Sequence, residues 1–120
     1  MSPELSQQLR ARYPAILEYI QRVSCGDGWF DLIDALCANL QAATKHGGQQ
    51  VVASDLKEKY GALRFYHCGV NDEQDGMIEL AEAFSKRICE VCGSRGRLRG
   101  NGWITTRCDA HVEPERIAPV

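Results

Sequence analysis

The sequence predicts an α+β fold, a helical body with a central β-hairpin that runs into a small C-terminal module cross-linked through its own side chains. Three observations predict it. Apolar residues recur at helical spacing on both sides of a central region, and that region holds two runs rich in Val, Leu, Phe and Tyr around Lys59-Tyr60-Gly61. In the C-terminal third, two pairs of Cys and His residues repeat one spacing. A chain of 120 residues buries roughly two-thirds of the surface its unfolded form exposes, enough for an ordinary core. Residues 1–120 therefore read as a single domain, with 1–85 an acidic helical and hairpin body and 86–115 a module integral to it.

Ser2-Pro3-Glu4 is a good helix start, with Ser as cap, Pro at the first helical position and an acid in the first turn. Leu5, Leu9, Ile16, Leu17 and Ile20 keep a helical period, but Pro14 lacks a donor and divides the segment, predicting helical pieces over about 3 to 12 and 14 to 23. The stretch SCGDG reads as a turn whose Asp27 can cap the next helix. Trp29, Leu32, Ile33, Leu36, Cys37 and Leu40 then share one helical face, and Gly47-Gly48 ends the element. VVASDLKEKYGALRFYHCG predicts the hairpin, with a short capped helix over SDLKEKYG as the competing reading. Asn71 to Asp75 forms a loop or cap. Met77, Leu80, Ala81, Phe84 and Ile88 follow at helical spacing, predicting a third amphipathic helix that runs into Cys89.

Cys89 and Cys92 are separated by two residues, and so are Cys108 and His111, with fifteen residues between the pairs. Each pair can turn both side chains toward one ion at little backbone cost, which is the ligand pattern of tetrahedral zinc. Asn101-Gly102 is a hairpin-turn signal, so Arg97 to Arg99 and Trp103 to Arg107 are expected as strands that bring the second pair back to the first. Gly93 suits a tight knuckle, and DAHVEPER can begin a short helix. The knuckle, hairpin and helix start of residues 86–115 resemble the treble-clef class of zinc folds. Four protein ligands leave no open position for water, so the expected Zn2+ is structural and not catalytic.

Charge is unevenly spread. Residues 1–85 carry seven Lys and Arg against twelve Asp and Glu, whereas residues 86–108 carry six basic groups against Glu90 alone. Arg95, Arg97, Arg99 and Arg107 are expected to present positive charge to nucleic acid or to an acidic protein, with Trp103 either stacking on a base or anchoring the hairpin over the metal. A second reading gives the partner surface to acidic helical rows, Asp27, Asp31 and Asp34 on one helix and Asp75, Glu79 and Glu82 on another. A third reading is an enzyme with Cys25 or Cys68 as nucleophile and His46 or His67 as base, but no motif ties such a pair together. Cys37 lies on the apolar face and reads as a small buried residue.

No run of about 18 apolar residues could cross a bilayer, and MSPELSQQLRARYPAIL lacks the layout of an export signal. The expectation is a cytoplasmic protein with reduced thiols, and no small-molecule substrate is evident. The phrases CGDGWFDLIDALC, LKEKYGALRFY, CEVCG and GWITTRCDAH, taken together over residues 25–111, resemble small zinc-binding proteins of bacteria and prophages. That resemblance implies a bacterial or phage source and the same metal quartet, and it names no reaction. A phage origin favours a role in binding a host protein, as an inhibitor or adaptor. The sequence thus points to a zinc-stabilised protein that binds and does not catalyse.

Overall fold

The structure is a computed structural model, and it describes residues 1–112. Helix α1 covers Pro3–Arg12 and begins as the sequence predicts, with the Ser2 hydroxyl accepting from the Leu5 amide. The second helical piece does not form. Residues 14–19 are a succession of turns, because this segment spends its backbone on the sheet: Ala53 donates to the Ile16 carbonyl, and Ser24 both donates to Leu56 and accepts from Glu58. Its apolar residues are still core. Ile16, Leu17, Ile20 and Val23 are buried, so the periodicity reported burial correctly and the backbone conformation wrongly.

A 3-10 turn at Asp27–Trp29 leads into α2, Phe30–Lys45. Asp27 does not cap it; its carboxylate accepts instead from the Ser2 amide at 2.7 Å, joining this turn to the start of α1. Trp29, Ile33, Leu36, Cys37 and Leu40 form the buried face, and the helix stops before Gly47, whose φ of +95° favours glycine. Strands β1, Ala53–Lys59, and β2, Ala62–His67, pair antiparallel across Tyr60-Gly61, both at positive φ as a two-residue hairpin turn requires. The competing helix over SDLKEKYG is thereby excluded.

A lone two-stranded sheet is marginal, and its open edges invite unwanted pairing. Here both edges are covered. The 13–25 segment bonds along β1 as described, and helix α3, Asp72–Ser85, covers β2 with side chains: Ser85 Oγ accepts from Leu63 N at 2.9 Å and Glu82 Oε2 from Phe65 N at 2.9 Å. Asn71 and Gln74 form a reciprocal capping box at the α3 start, and the buried Gln74 also donates to the Gln49 carbonyl. The α3 helix ends at Ser85, short of Cys89. Lys86, Arg87 and Ile88 donate three residues back, tightening the last turn and releasing the chain toward the C-terminal module.

Strands β3, Arg97–Arg99, and β4, Thr105–Arg107, pair antiparallel. The second strand is shorter than expected, since Trp103 and Ile104 belong to the connection. A single 3-10 turn, Asp109–His111, follows; the rest of the helix expected over DAHVEPER lies outside the described residues. Among the described residues, no helix is long and apolar enough to cross a membrane.

Candidate metal centre

The chain enters the centre through Cys89, whose carbonyl accepts from Gly93 N at 2.9 Å and whose amide donates to Ser94 O at 2.7 Å. This closes a knuckle around Cys92, and Gly93 supplies the positive φ of +80° the reversal needs. Gly96 N donates to Arg87 O, starting the return strand. The β3–β4 ribbon then brings Cys108 back, and the turn closed by His111 N and Cys108 O places the imidazole beside the sulfurs. Cys89, Cys92, Cys108 and His111 lie with their ligand atoms all within 4.8 Å of one another. Cys92 Sγ to Cys108 Sγ is 3.7 Å, Cys89 Sγ to His111 Nδ1 3.9 Å and Cys108 Sγ to His111 Nδ1 3.2 Å. Two sulfurs on a tetrahedral ion with bonds of about 2.3 Å stand about 3.8 Å apart. The four residues could therefore hold one metal ion.

Two of the three thiols are shifted toward the charged form and the third away from it. Hydrogen bonds from the Ser94 side chain and amide bring Cys92 down to about 7. Burial alone would raise Cys89, but amides of Cys108, Cys92 and Val91 outweigh it and lower the thiol. Cys108 is raised, by burial and then by its Cys89 and Cys92 neighbours. Three sulfurs in one place compete for negative charge until a cation neutralises them.

The knuckle is held against the body by the loop CGDGW. Gly28 N donates to the Glu90 carbonyl at 2.8 Å, Gly26 N to the Glu90 carboxylate at 2.8 Å, and the buried Trp29 Nε1 to Ile88 O at 2.8 Å. On its other side Glu90 N donates to Thr106 O in β4 at 3.0 Å. The residue after the first ligand is thus gripped from the body and from the ribbon together. Burial raises its carboxyl above the ordinary value. A second contact joins the hairpin tip: Thr106 Oγ1 donates to the Gly61 carbonyl at 2.5 Å. Sequence reasoning assigned none of these roles to Gly26, Gly28, Trp29, Glu90 or Thr106. The readable sign was the pair of glycines at 26 and 28, which mark a close backbone approach.

Among the expected partner-binding residues, Arg95 and Arg97 are exposed and, with Lys86, Arg87 and Arg99, line a cavity of about 460 Å³ beside the ribbon. Asp109 is the acid on its wall, and Arg99 already holds it at 2.5 Å while donating through Nε to the Arg107 carbonyl. Arg99 thereby ties the ribbon to the turn that carries Cys108 and His111. Arg107 is half-buried on β4. Trp103 is 60% exposed, so most of its indole faces solvent. Lys86 and Arg87 were missed as cavity residues because they precede the ribbon in sequence.

The acidic rows are partly consumed within the chain. Asp27 bonds Ser2, Glu82 bonds Phe65, and Asp34 pairs with Arg12 at 3.1 Å and accepts from the Tyr13 hydroxyl at 2.6 Å. Asp31, Asp75 and Glu79 are exposed. Burial pushes the Cys25 and Cys37 thiols up to about 12, against reactivity at neutral pH. Cys68 and His46 are exposed and His67 is half-buried. Among the described residues, none of these joins a cluster that could share an ion with other Cys, His, Asp or Glu side chains.

No family model, no curated protein and no solved structure matches the chain.

Proposed function

We propose that the chain is a non-catalytic, zinc-stabilised binding protein whose basic cavity receives an anionic partner. The observation that carries this reading is the cavity beside the candidate metal centre, where Lys86, Arg87, Arg95 and Arg97 converge and the one acid on the wall is paired with a fifth cation, Arg99. The cluster is compact enough for one ion, and three sulfurs with one imidazole suit zinc in a closed tetrahedral site. When bound, the ion supplies a structural cross-link and no reactive position. The knuckle and ribbon fit a treble-clef-like module, and free cysteines fit the reducing cytoplasm of a bacterial or phage-infected cell. An anionic partner is preferred to a basic one because Asp27, Asp34 and Glu82 are engaged inside the molecule.

Two measurements test the reading. Metal analysis of protein purified without chelator should find one zinc ion per chain; a metal-free sample that is fully folded removes the centre. Labelled polyglutamate and a labelled single-stranded oligonucleotide, titrated from about 50 to about 200 mM salt, should bind with affinity that falls steeply with salt. Arg95→Glu with Arg97→Glu should abolish that binding. Arg99 is left intact because it positions the ligand turn. Failure of both probes at the lowest salt refutes the anionic-partner reading.

A further inference from the structure

Helix α3 leaves two large apolar side chains in solvent, Leu80 at 70% and Phe84 at 49% exposure. With Leu32, Leu36, Met77 and Ala81 they line a groove of about 550 Å³ between α2 and α3, whose one polar wall residue is Asn39. A neighbouring hollow of about 540 Å³ shares Leu80 and Phe84 with this groove, shares Lys86 and Arg87 with the basic cavity, and has Leu98 of β3 on its wall. Through these shared residues the three hollows adjoin in a row, apolar at one end and cationic at the other. Beyond the apolar end, the exposed Glu73 lies one turn before Met77 on the same line of α3.

We propose that these adjoining hollows act as one trough that docks an amphipathic helix of a partner protein, apolar along one face and acidic at the end that reaches Lys86, Arg87, Arg95 and Arg97. The proposal rests on the anionic-partner reading and specifies the partner's class. Two helices side by side present a groove into which a third packs its ridge of side chains. Met77 to Phe84 extends about 10 Å along α3, about two turns of a docked helix. Charge complementarity sets the polarity, with acids over the arginines and not over Glu73. A nucleic acid makes poor use of this wall: it offers Leu, Met and Ala, which have no face for a base to stack on, and Phe84 is its one aromatic.

The test uses the full zinc-loaded chain and a fluorescent helical peptide of about 18 residues, long enough to hold its helix, with Leu at i, i+3, i+4 and i+7 and a Glu cluster at one end. Controls are the same peptide with a Lys cluster, a version with scrambled apolar register, polyglutamate, and a labelled single-stranded oligonucleotide. The acidic amphipathic peptide should bind tighter than every control. It should lose about tenfold in affinity or more in Leu80→Glu, and as much in Arg95→Glu with Arg97→Glu. Both sites are exposed, and retained zinc and helix content confirm that the variants fold. If Leu80→Glu binds the peptide as well as the parent while polyglutamate still binds with salt dependence, the groove proposal fails and the anionic-partner reading stands. If polyglutamate and the oligonucleotide also fail, both fall. An oligonucleotide that outcompetes every peptide and ignores Leu80→Glu overturns the partner class. A dimer in sedimentation velocity that Leu80→Glu dissolves overturns it in favour of a second copy of this chain.

Discussion

Replacing Gly28 by Ala tests whether the metal module is held to the body by backbone contact. An ideal Cβ at this position would lie 2.2 Å from Cys89 O, 2.6 Å from Gly93 N and 2.7 Å from the Glu90 carbonyl carbon. All three atoms are backbone, so no rotamer change relieves the clash. The knuckle would have to retreat by about 1 Å to reach ordinary contact, stretching the 2.8 Å bond from Gly28 N to Glu90 O beyond use. Overpacking of this kind costs about 1–3 kcal/mol. The half-buried Gly28 amide and the buried Glu90 carbonyl left without partners cost about 1–3 kcal/mol more. Reduced freedom of the unfolded chain returns about 0.4–1 kcal/mol. The expected net loss is about 3 kcal/mol. Urea unfolding of the zinc-loaded protein measures it, and a chromophoric chelator should extract zinc faster from the variant. Gly76→Ala is the control: nothing lies within 4 Å of its Cβ position on the exposed face of α3, so it should gain about 1 kcal/mol. A Gly28→Ala protein within about 0.5 kcal/mol of the parent, with unchanged zinc release, would refute the docking argument.

Three further outcomes are expected. Removing the metal should unfold residues 88–108 while the hairpin and helices persist, because apparent zinc affinity in small sites, about 10–16 kcal/mol, exceeds what the short ribbon could supply; hydrogen exchange should show it, and in Trp103→Phe the fluorescence of Trp29, bonded to Ile88, should change with it. Glu90→Ala should cost about 2 kcal/mol through the lost carboxylate acceptor of Gly26 N, with Glu90→Gln recovering most of it, as denaturant midpoints would report. Tyr13→Phe should lose about 1 kcal/mol near pH 7 with the hydroxyl bond to Asp34. Burial and that bond raise the Tyr13 hydroxyl from 10.0 to about 12. Its contribution is therefore complete below pH 10.0 and is lost as pH rises through about 12. The same bond lowers Asp34, whose contribution is complete above its ordinary value and is lost as pH falls through the lowered one. The gap between parent and Tyr13→Phe should narrow at both extremes; a gap that stays constant with pH would remove the Tyr13–Asp34 bond from the account.

The residues themselves determined the elements whose causes are local. Ser2 and Pro3 start α1, Asn71 caps α3, Gly47 releases α2, and a two-residue turn ending in Gly61 closes the hairpin, because each depends on one or two neighbouring dihedrals and hydrogen bonds. The clustering of Cys89, Cys92, Cys108 and His111 was equally legible, since the equal spacing of the two pairs is written directly into chain order. What sequence could not supply were outcomes of competition between distant groups. Residues 14–19 keep a helical period yet lie as turns, because the Ala53 amide of β1 claims the Ile16 carbonyl and the chain goes on to pair with β1 at Ser24. Asp27 and Asp34 look like members of an open acidic row but were captured by Ser2, Arg12 and Tyr13. Leu80 and Phe84 share their period with core residues, and only the packing of α2 against α3 decided that they face a groove. Periodicity tells a side chain which face of its own element it occupies. Tertiary structure decides what, if anything, covers that face, because the covering atoms come from elsewhere in the chain.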